Sequence, residues 1–127
     1  MKIESIVVSL DTAKKLKAAG WDKPTAFYWS DLTGIGNLLD ARYMGGKPFE
    51  SDMPAPTAEE ILRELPQYVK HTRLFIFPFA KPRCWAMVYG SAGLGKRFVE
   101  YRRDSLAEAA AQMWLWCKKN NYLEAIK

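Results

Sequence analysis

The chain contains 127 residues, of which 49% are hydrophobic, 26% charged and 13% aromatic. This size and composition are typical of one globular domain, and they exclude a disordered chain, a collagen-like repeat and a small disulfide scaffold. We therefore predict a single domain over residues 1–127. Nineteen basic and fourteen acidic side chains give a net charge of +5 at pH 7, which suits an acidic partner without identifying one.

The sequence predicts neither a membrane protein nor a secreted one. No apolar run approaches the ~20 residues of a membrane-spanning helix, and the N-terminus lacks the apolar core of a secretory signal. We expect no membrane partner and a cytoplasmic location. Cys84 and Cys117 both lie in apolar stretches and are predicted to be reduced, buried thiols.

The first predicted elements are a helix and a strand. Ser9 is a good N-cap for a helix over residues 10–19, because its hydroxyl can accept an otherwise unpaired backbone N–H. Gly20 is a good helix stop. Residues 25–30, which include three consecutive aromatic side chains, predict a strand.

A long loop and a second helix follow. Residues 31–56 are rich in glycine and proline and predict a loop, with one short strand or turn around 38–43. Thr57 and Glu60 form a capping box at the start of the next helix, since each side chain can bond the other's backbone N–H. Pro66 ends that helix.

Three β-prone runs then predict an antiparallel meander. They cover residues 73–79, 83–89 and 97–103, and the connections between them are short. The second run is apolar on both of its alternating faces, so we predict a central strand that is covered on both sides. Pro78 predicts that the first strand bends or lies at an edge there, because proline cannot donate to a neighbouring strand.

The last predicted element is a helix that begins at Ser105, with Glu108 completing a second capping box. This helix is apolar almost all round, which indicates burial on more than one side. The sheet can cover one side, and the N-terminal helix or a second subunit must cover the other. The candidate oligomer interface consists of Trp114, Leu115 and Trp116.

Together these elements predict an α+β fold. We expect an antiparallel meander of three or four strands, with about three helices packed mainly on one of its faces. The chain shows no internal repeat and no linker that would divide two domains.

One segment resembles a phosphate-binding loop. Residues 90–96 read G-x-x-x-x-G-K, but Arg97 stands where a Ser or Thr must hold Mg²⁺. The following residues, 97–103, predict a strand, whereas a phosphate-binding loop opens a helix. We therefore interpret the segment as a glycine-rich hairpin loop.

No other pattern indicates catalysis. The cysteines and the single histidine lack metal-ligand spacing, and no serine has a partner base in the sequence. The sequence thus implies no catalytic residue, no metal and no cofactor, and we expect a non-enzymatic protein.

The charge is concentrated in the predicted meander. Residues 70–103 contain eight basic side chains and one acid, Glu100, which gives this segment a charge of +7. The basic residues are the candidate nucleic-acid contacts: Lys70, Arg73, Lys81, Arg83, Lys96, Arg97, Arg102 and Arg103. A basic sheet with aromatic side chains can bind single-stranded nucleic acid. The alternative, which the pattern favours, is an aromatic core face with a solvated basic rim.

Three segments resemble a group of small phage- or prophage-encoded bacterial proteins. They are VSLDTAKKLKAAGW, MPAPTAEEILRELP and YRRDSLAEAAAQMWLW. In that group a helix, a second helix led by proline and threonine, several strands and a final alanine-rich helix recur in this order. The resemblance implies a phage-related origin inside a bacterial host, and it implies no activity and no functional residue.

The favoured expectation is therefore an accessory or interaction protein that acts through a protein partner or by self-association. It depends on the apolar last helix and on the lack of a catalytic pattern. The alternative is a nucleic-acid-binding protein that uses the basic meander.

Overall fold

A computed structural model describes residues 6–30, 37–40, 52–80, 83–91 and 97–123 of the chain. These residues form three helices and seven strands. The helices are α1 (Leu10–Ala18), α2 (Ala58–Leu62) and α3 (Leu106–Lys119). The strands are β1 (Phe27–Ser30), β2 (Asn37–Asp40), β3 (Met53–Pro54), β4 (Tyr68–Val69), β5 (Thr72–Ala80), β6 (Arg83–Gly90) and β7 (Arg97–Arg103).

Helix α1 has the predicted ends. The Ser9 hydroxyl accepts the N–H of Thr12 at 3.3 Å, as an N-cap should. At the other end Gly20 adopts a φ of 101°, which a residue without Cβ adopts at little cost. This turn lets the Trp21 N–H donate to the Leu16 carbonyl at 2.9 Å, so the chain reverses directly after the helix.

Helix α2 has the predicted capping box but is shorter than expected. The Thr57 hydroxyl accepts the Glu60 N–H, and the Glu60 carboxylate accepts the Thr57 N–H. After Leu62 the chain tightens, because the Glu64 N–H donates to the Ile61 carbonyl three residues back. The α-helical part therefore ends at Leu62, and the tight turn leads into Pro66.

The strands form two antiparallel sheets, of which the larger contains the predicted meander in the order β4-β5-β6-β7. Strand β6 is central, as predicted, and most of its side chains are buried. Strand β4 pairs with residues 72–73 of β5, so Pro78 lies at an edge of the sheet that the described residues form. The smaller sheet has the order β2-β1-β3, and its strand β2 falls within the stretch predicted to hold one short strand.

Helix α3 packs on one face of the four-stranded sheet. Its Trp116 ring stacks on Tyr89 of β6 at 6.0 Å between centroids, and α3 contacts both β6 and β7. On its other sides α3 contacts α1 and α2. Trp114, which is 5% exposed, meets Trp21 edge-to-face at 5.2 Å. Internal elements thus cover the part of α3 that includes Trp114.

The second predicted capping box is only half formed. The Ser105 hydroxyl accepts the Glu108 N–H at 3.1 Å, but the Glu108 carboxylate bonds to α1. It accepts the Ser9 N–H at 3.0 Å and the Thr12 hydroxyl at 2.6 Å. The prediction that Glu108 bonds back to its own helix was therefore wrong. The nearby start of α1 offers it a third donor, the Ser9 hydroxyl at 3.3 Å, and the positive end of that helix favours a carboxylate.

Candidate functional site

The second face of the four-stranded sheet carries a row of aromatic rings. Directly paired residues of antiparallel strands share a face, so the register places Phe75, Phe77 and Phe79 of β5 opposite Val88, Ala86 and Cys84 of β6. The same register adds Tyr68, Arg73, Glu100 and Arg102. We call the surface made by these ten residues the phenylalanine face. Tyr89 and Trp85 alternate with them along β6 and point to the α3 side.

The three phenylalanines of this face occupy alternate positions of β5, and two of their rings are stacked. Phe75 and Phe77 stack with their centroids 6.0 Å apart and their planes inclined by 14°. The small side chains of Ala86 and Val88 lie beside them on β6. Because these side chains are short, the phenylalanine rings project beyond them. Phe77 is 41% exposed. The row therefore presents apolar π surface to solvent.

Two arginines lie against the outer rings. The guanidinium carbon of Arg73 lies 5.8 Å from the Phe75 centroid, and that of Arg102 lies 4.7 Å from the Phe79 centroid. A guanidinium attracted to a ring quadrupole in this way keeps its charge and its fork of N–H donors. Both arginine residues are exposed, so they can contact an anionic ligand that lies on the rings.

One acid belongs to the same surface. The Glu100 carboxylate accepts a hydrogen bond from Nε of Arg102 at 2.5 Å. Because the two side chains lie two residues apart on β7, they share the phenylalanine face. Glu100 therefore offsets part of the positive charge that Arg102 brings to it.

The remaining candidate basic residues do not gather on this face. Arg83 and Arg103 share the face of Trp85, since β6 alternates and Arg103 pairs with Trp85. Lys70, at a φ of 55°, lies on the same α3 side, with Nζ 5.6 Å from the Phe98 centroid. Lys81 and Lys96 fall outside the described residues, as does the Arg97 side chain. Of the eight basic residues, the structure thus brings Arg73 and Arg102 together with the rings.

The candidate oligomer residues divide into buried and partly exposed ones. Trp114 belongs to the core, whereas Leu115 and Trp116 are half-buried and line a cleft of about 390 Å³ with Tyr101. Phe98 meets the Trp116 ring edge-to-face at 5.5 Å and is 46% exposed. The α3 side therefore also carries an accessible aromatic cluster, close to the cleft.

The resemblance to a phosphate-binding loop does not extend to the strands around it. Residues 97–103 form β7, which pairs antiparallel with β6 from Gly90 onward. The segment between these strands therefore joins two members of a hairpin, as predicted, and residues 92–96 lie outside the described residues. The helix N-terminus that would hold phosphates after such a loop is replaced by a strand.

Two titratable groups are buried where α3 meets the sheet. The Tyr89 hydroxyl donates to the Pro66 carbonyl at 2.6 Å, and the Cys117 thiol lies 3.9 Å from the same hydroxyl. Burial raises the pKa of Cys117 to about 11 and also raises the pKa of Tyr89, with the neighbouring thiol adding to the effect. Both groups are neutral near pH 7, and Cys84 and Cys117 are free, buried thiols as predicted.

Comparison with known proteins adds no family to this description. No protein-family model, no curated protein and no solved structure matches the chain. Within the described residues, no helix is long and apolar enough to cross a membrane. The same part of the chain contains no group of three or more His, Cys, Asp or Glu side chains placed to hold a metal ion.

Sequence patterns alone missed one member of the phenylalanine face. Tyr68 is 61% exposed and pairs with Arg73 across the two-residue strand β4. A strand of two residues is too short to show a period of two, so its sequence carried no signal of orientation. The strict alternation of aromatic residues along β5 did indicate that they share one face of the sheet. It did not indicate whether that face is buried in the core or exposed.

Proposed function

We propose that the protein binds single-stranded nucleic acid on the phenylalanine face. The observation that carries this proposal is the exposed Phe77 ring, in a row with Phe75 and Phe79 and between two exposed guanidinium groups. Unpaired bases stack on aromatic side chains whatever their sequence, and guanidinium groups pair with phosphate oxygens. A surface with exposed rings and guanidinium groups can therefore bind both the base and the phosphate of a nucleotide.

The geometry favours an unpaired strand over a duplex. In a duplex the bases are stacked on each other and present only their edges in the grooves, so they cannot lie on Phe77. The sheet surface is also broad, whereas the elements that read a major groove are a helix or a two-stranded ribbon. The +7 charge of residues 70–103 adds a long-range attraction that does not depend on strandedness.

Adjacent arginines on opposite faces provide a matched test. Arg102→Ala removes a charge from the phenylalanine face, and Arg103→Ala removes the same charge from the α3 side. In a fluorescence-anisotropy titration with labelled dT12 at low salt, we expect Arg102→Ala to weaken binding several-fold more than Arg103→Ala. The logarithm of the binding constant falls linearly with the logarithm of the salt concentration, and we call the size of this slope the salt slope. It should be smaller by about 0.7 in the Arg102 variant, which is the value for one phosphate contact of a single strand.

Three results would overturn the proposal. The first is wild-type protein that shows no salt-sensitive binding of dT12. The second is equal loss of affinity in the two arginine variants, which would indicate attraction by net charge alone. The third is tighter binding of a duplex of the same length, which the exposed ring does not explain.

A second candidate function is self-association or binding of a protein partner through the α3 side. The observation that favours it is the exposed Phe98 beside the cleft that Leu115 and Trp116 line. Burial of such an aromatic cluster contributes strongly to protein interfaces. Size-exclusion chromatography with light scattering tests self-association, and a mass that stays monomeric at high concentration and does not respond to Leu115→Lys argues against it.

We further propose a phage-related origin and a bacterial cytoplasmic setting. The support for both is the likeness of the three sequence segments to small phage and prophage proteins. The genes that flank this one provide the test, because phage genomes group genes by function. Neighbours without any phage character would contradict the origin.

A further inference from the structure

The rings of the phenylalanine face differ in how accessible they are. Arg73 lies over Phe75, which also stacks on Phe77, and Arg102 lies over Phe79. Phe75 and Phe79 are half-buried. Phe77 has no guanidinium over it among the described residues and is 41% exposed. A base can therefore reach Phe77 without displacing an arginine, whereas it must displace one to cover the outer rings.

Tyr68 offers a second exposed ring on the same face, with no guanidinium over it in the described part of the chain. It is 61% exposed and stands next to Arg73 in the β4–β5 pair. Arg73 and Phe77 lie four positions apart along β5, which corresponds to about 13 Å at the rise of an extended strand. Stacked bases of one strand lie only about 3.4 Å apart. Two bases that are stacked on each other thus cannot lie on Tyr68 and Phe77 at the same time.

We propose that a bound single strand stacks one base on Phe77 and another on Tyr68, with Arg73 contacting the phosphates between them. This inference rests on the proposed function and names the positions that the bases occupy. It predicts a strand that runs along β5 and is extended between the two rings. Phe75 and Phe79 then act as supports that position the arginines, and they do not themselves receive bases.

Leucine substitutions separate stacking from apolar packing. We expect Phe77→Leu and Tyr68→Leu each to weaken dT12 binding about tenfold, since one stacked base is lost in each. Phe98→Leu is the matched control, because the 46% exposure of Phe98 lies between those of Phe77 and Tyr68 but Phe98 belongs to the α3 side. Losses at Phe77 and Tyr68 should add in the double variant, since two separate bases are involved.

Photocrosslinking of the wild-type protein provides a second readout that does not depend on a variant folding. An oligonucleotide that contains 5-iodouracil should crosslink to Phe77 and Tyr68, as located by mass spectrometry of the digested complex. Crosslinks confined to Phe75 and Phe79, or leucine variants that bind dT12 as well as Phe98→Leu does, would overturn the two-ring arrangement while leaving single-strand binding intact. Wild-type protein that binds no single strand would overturn both proposals.

Discussion

Glu100→Gln should strengthen nucleic-acid binding rather than weaken it. The Glu100 carboxylate accepts a hydrogen bond from Nε of Arg102 at 2.5 Å and so occupies a donor that a phosphate would use. It also places a negative charge on the surface where a phosphate would lie. Glutamine keeps nearly the same shape and removes the charge, so Arg102 becomes available to the ligand.

The size of the effect follows from the exposure of the pair. The Arg102 side chain is 47% exposed and that of Glu100 is 20% exposed, which is a partly solvated ion pair. Such pairs contribute about 0.2–1 kcal/mol, and this is the free energy that a phosphate must offset when it displaces Glu100. Its removal should tighten binding by up to about fivefold at low salt. The salt slope should steepen by up to about 0.7.

Anisotropy titrations of dT12 over a series of salt concentrations measure both quantities. Glu59→Gln on α2 is the matched control, because it also raises the net charge by one and breaks an ion pair, that of Glu59 with Arg63 at 2.7 Å. That pair lies on α2, which packs on α3 rather than on the phenylalanine face. The reasoning fails if Glu100→Gln binds no tighter than Glu59→Gln, or binds more weakly than wild type.

Three further predictions concern stability. Glu108→Ala should lower the free energy of unfolding by about 1.5 kcal/mol, because the Ser9 N–H and the partly buried Thr12 hydroxyl lose a charged acceptor. Urea unfolding measures this loss, and a loss no larger than that of Glu59→Ala would contradict the prediction. Gly20→Ala should cost about 1–2 kcal/mol by the same measurement, because a φ of 101° is strained for a residue with a Cβ; an unchanged midpoint would refute it. Burial raises the pKa of Cys117 from 9.0 to about 11, so the unfolded thiol ionises first and its contribution to stability falls as the pH rises from 9 to 11, by up to about 1.4 kcal/mol per pH unit. Tyr89, whose pKa burial also raises, adds a separate fall above its ordinary pKa of 10. Cys117→Ala should flatten this fall in urea titrations at several pH values, and an equal fall in the variant would exclude the thiol as its cause.

The helices and the meander could be predicted because their signals are local. The N-caps Ser9, Thr57 and Ser105 begin the three helices, and each satisfies donors within its own first turn. The edge position of Pro78 likewise follows from a single residue, because proline has no backbone N–H to donate to a neighbouring strand. Glu108 shows the limit of this reasoning: its partner lies 99 positions away, and no spacing within the last helix indicates that α1 begins beside it.

The faces of the sheet could not be predicted with the same success. A simple alternation along β7 would place Phe98 with Glu100 and Arg102 on the phenylalanine face. The register shifts between Tyr89 and Gly90, and the extra residue turns Phe98 toward Trp116 instead. A bulge of this kind depends on how the strand pairs with its partner. The sequence therefore shows how many charged and aromatic side chains residues 97–103 contain, but not which face of the sheet each of them occupies.

The central position of α3 also determines when the molecule can complete its fold during synthesis. The meander is built from neighbouring hairpins, which can close while later residues are still being added. Helix α1 cannot dock at that stage, because the Ser9 N–H and the Trp21 ring contact residues of α3, about a hundred positions later in the chain. We therefore expect residues 9–21 to dock last, after the ribosome has released α3. Glu108→Ala should then speed unfolding and leave the refolding rate nearly unchanged, and a slowed refolding rate would place this contact early instead.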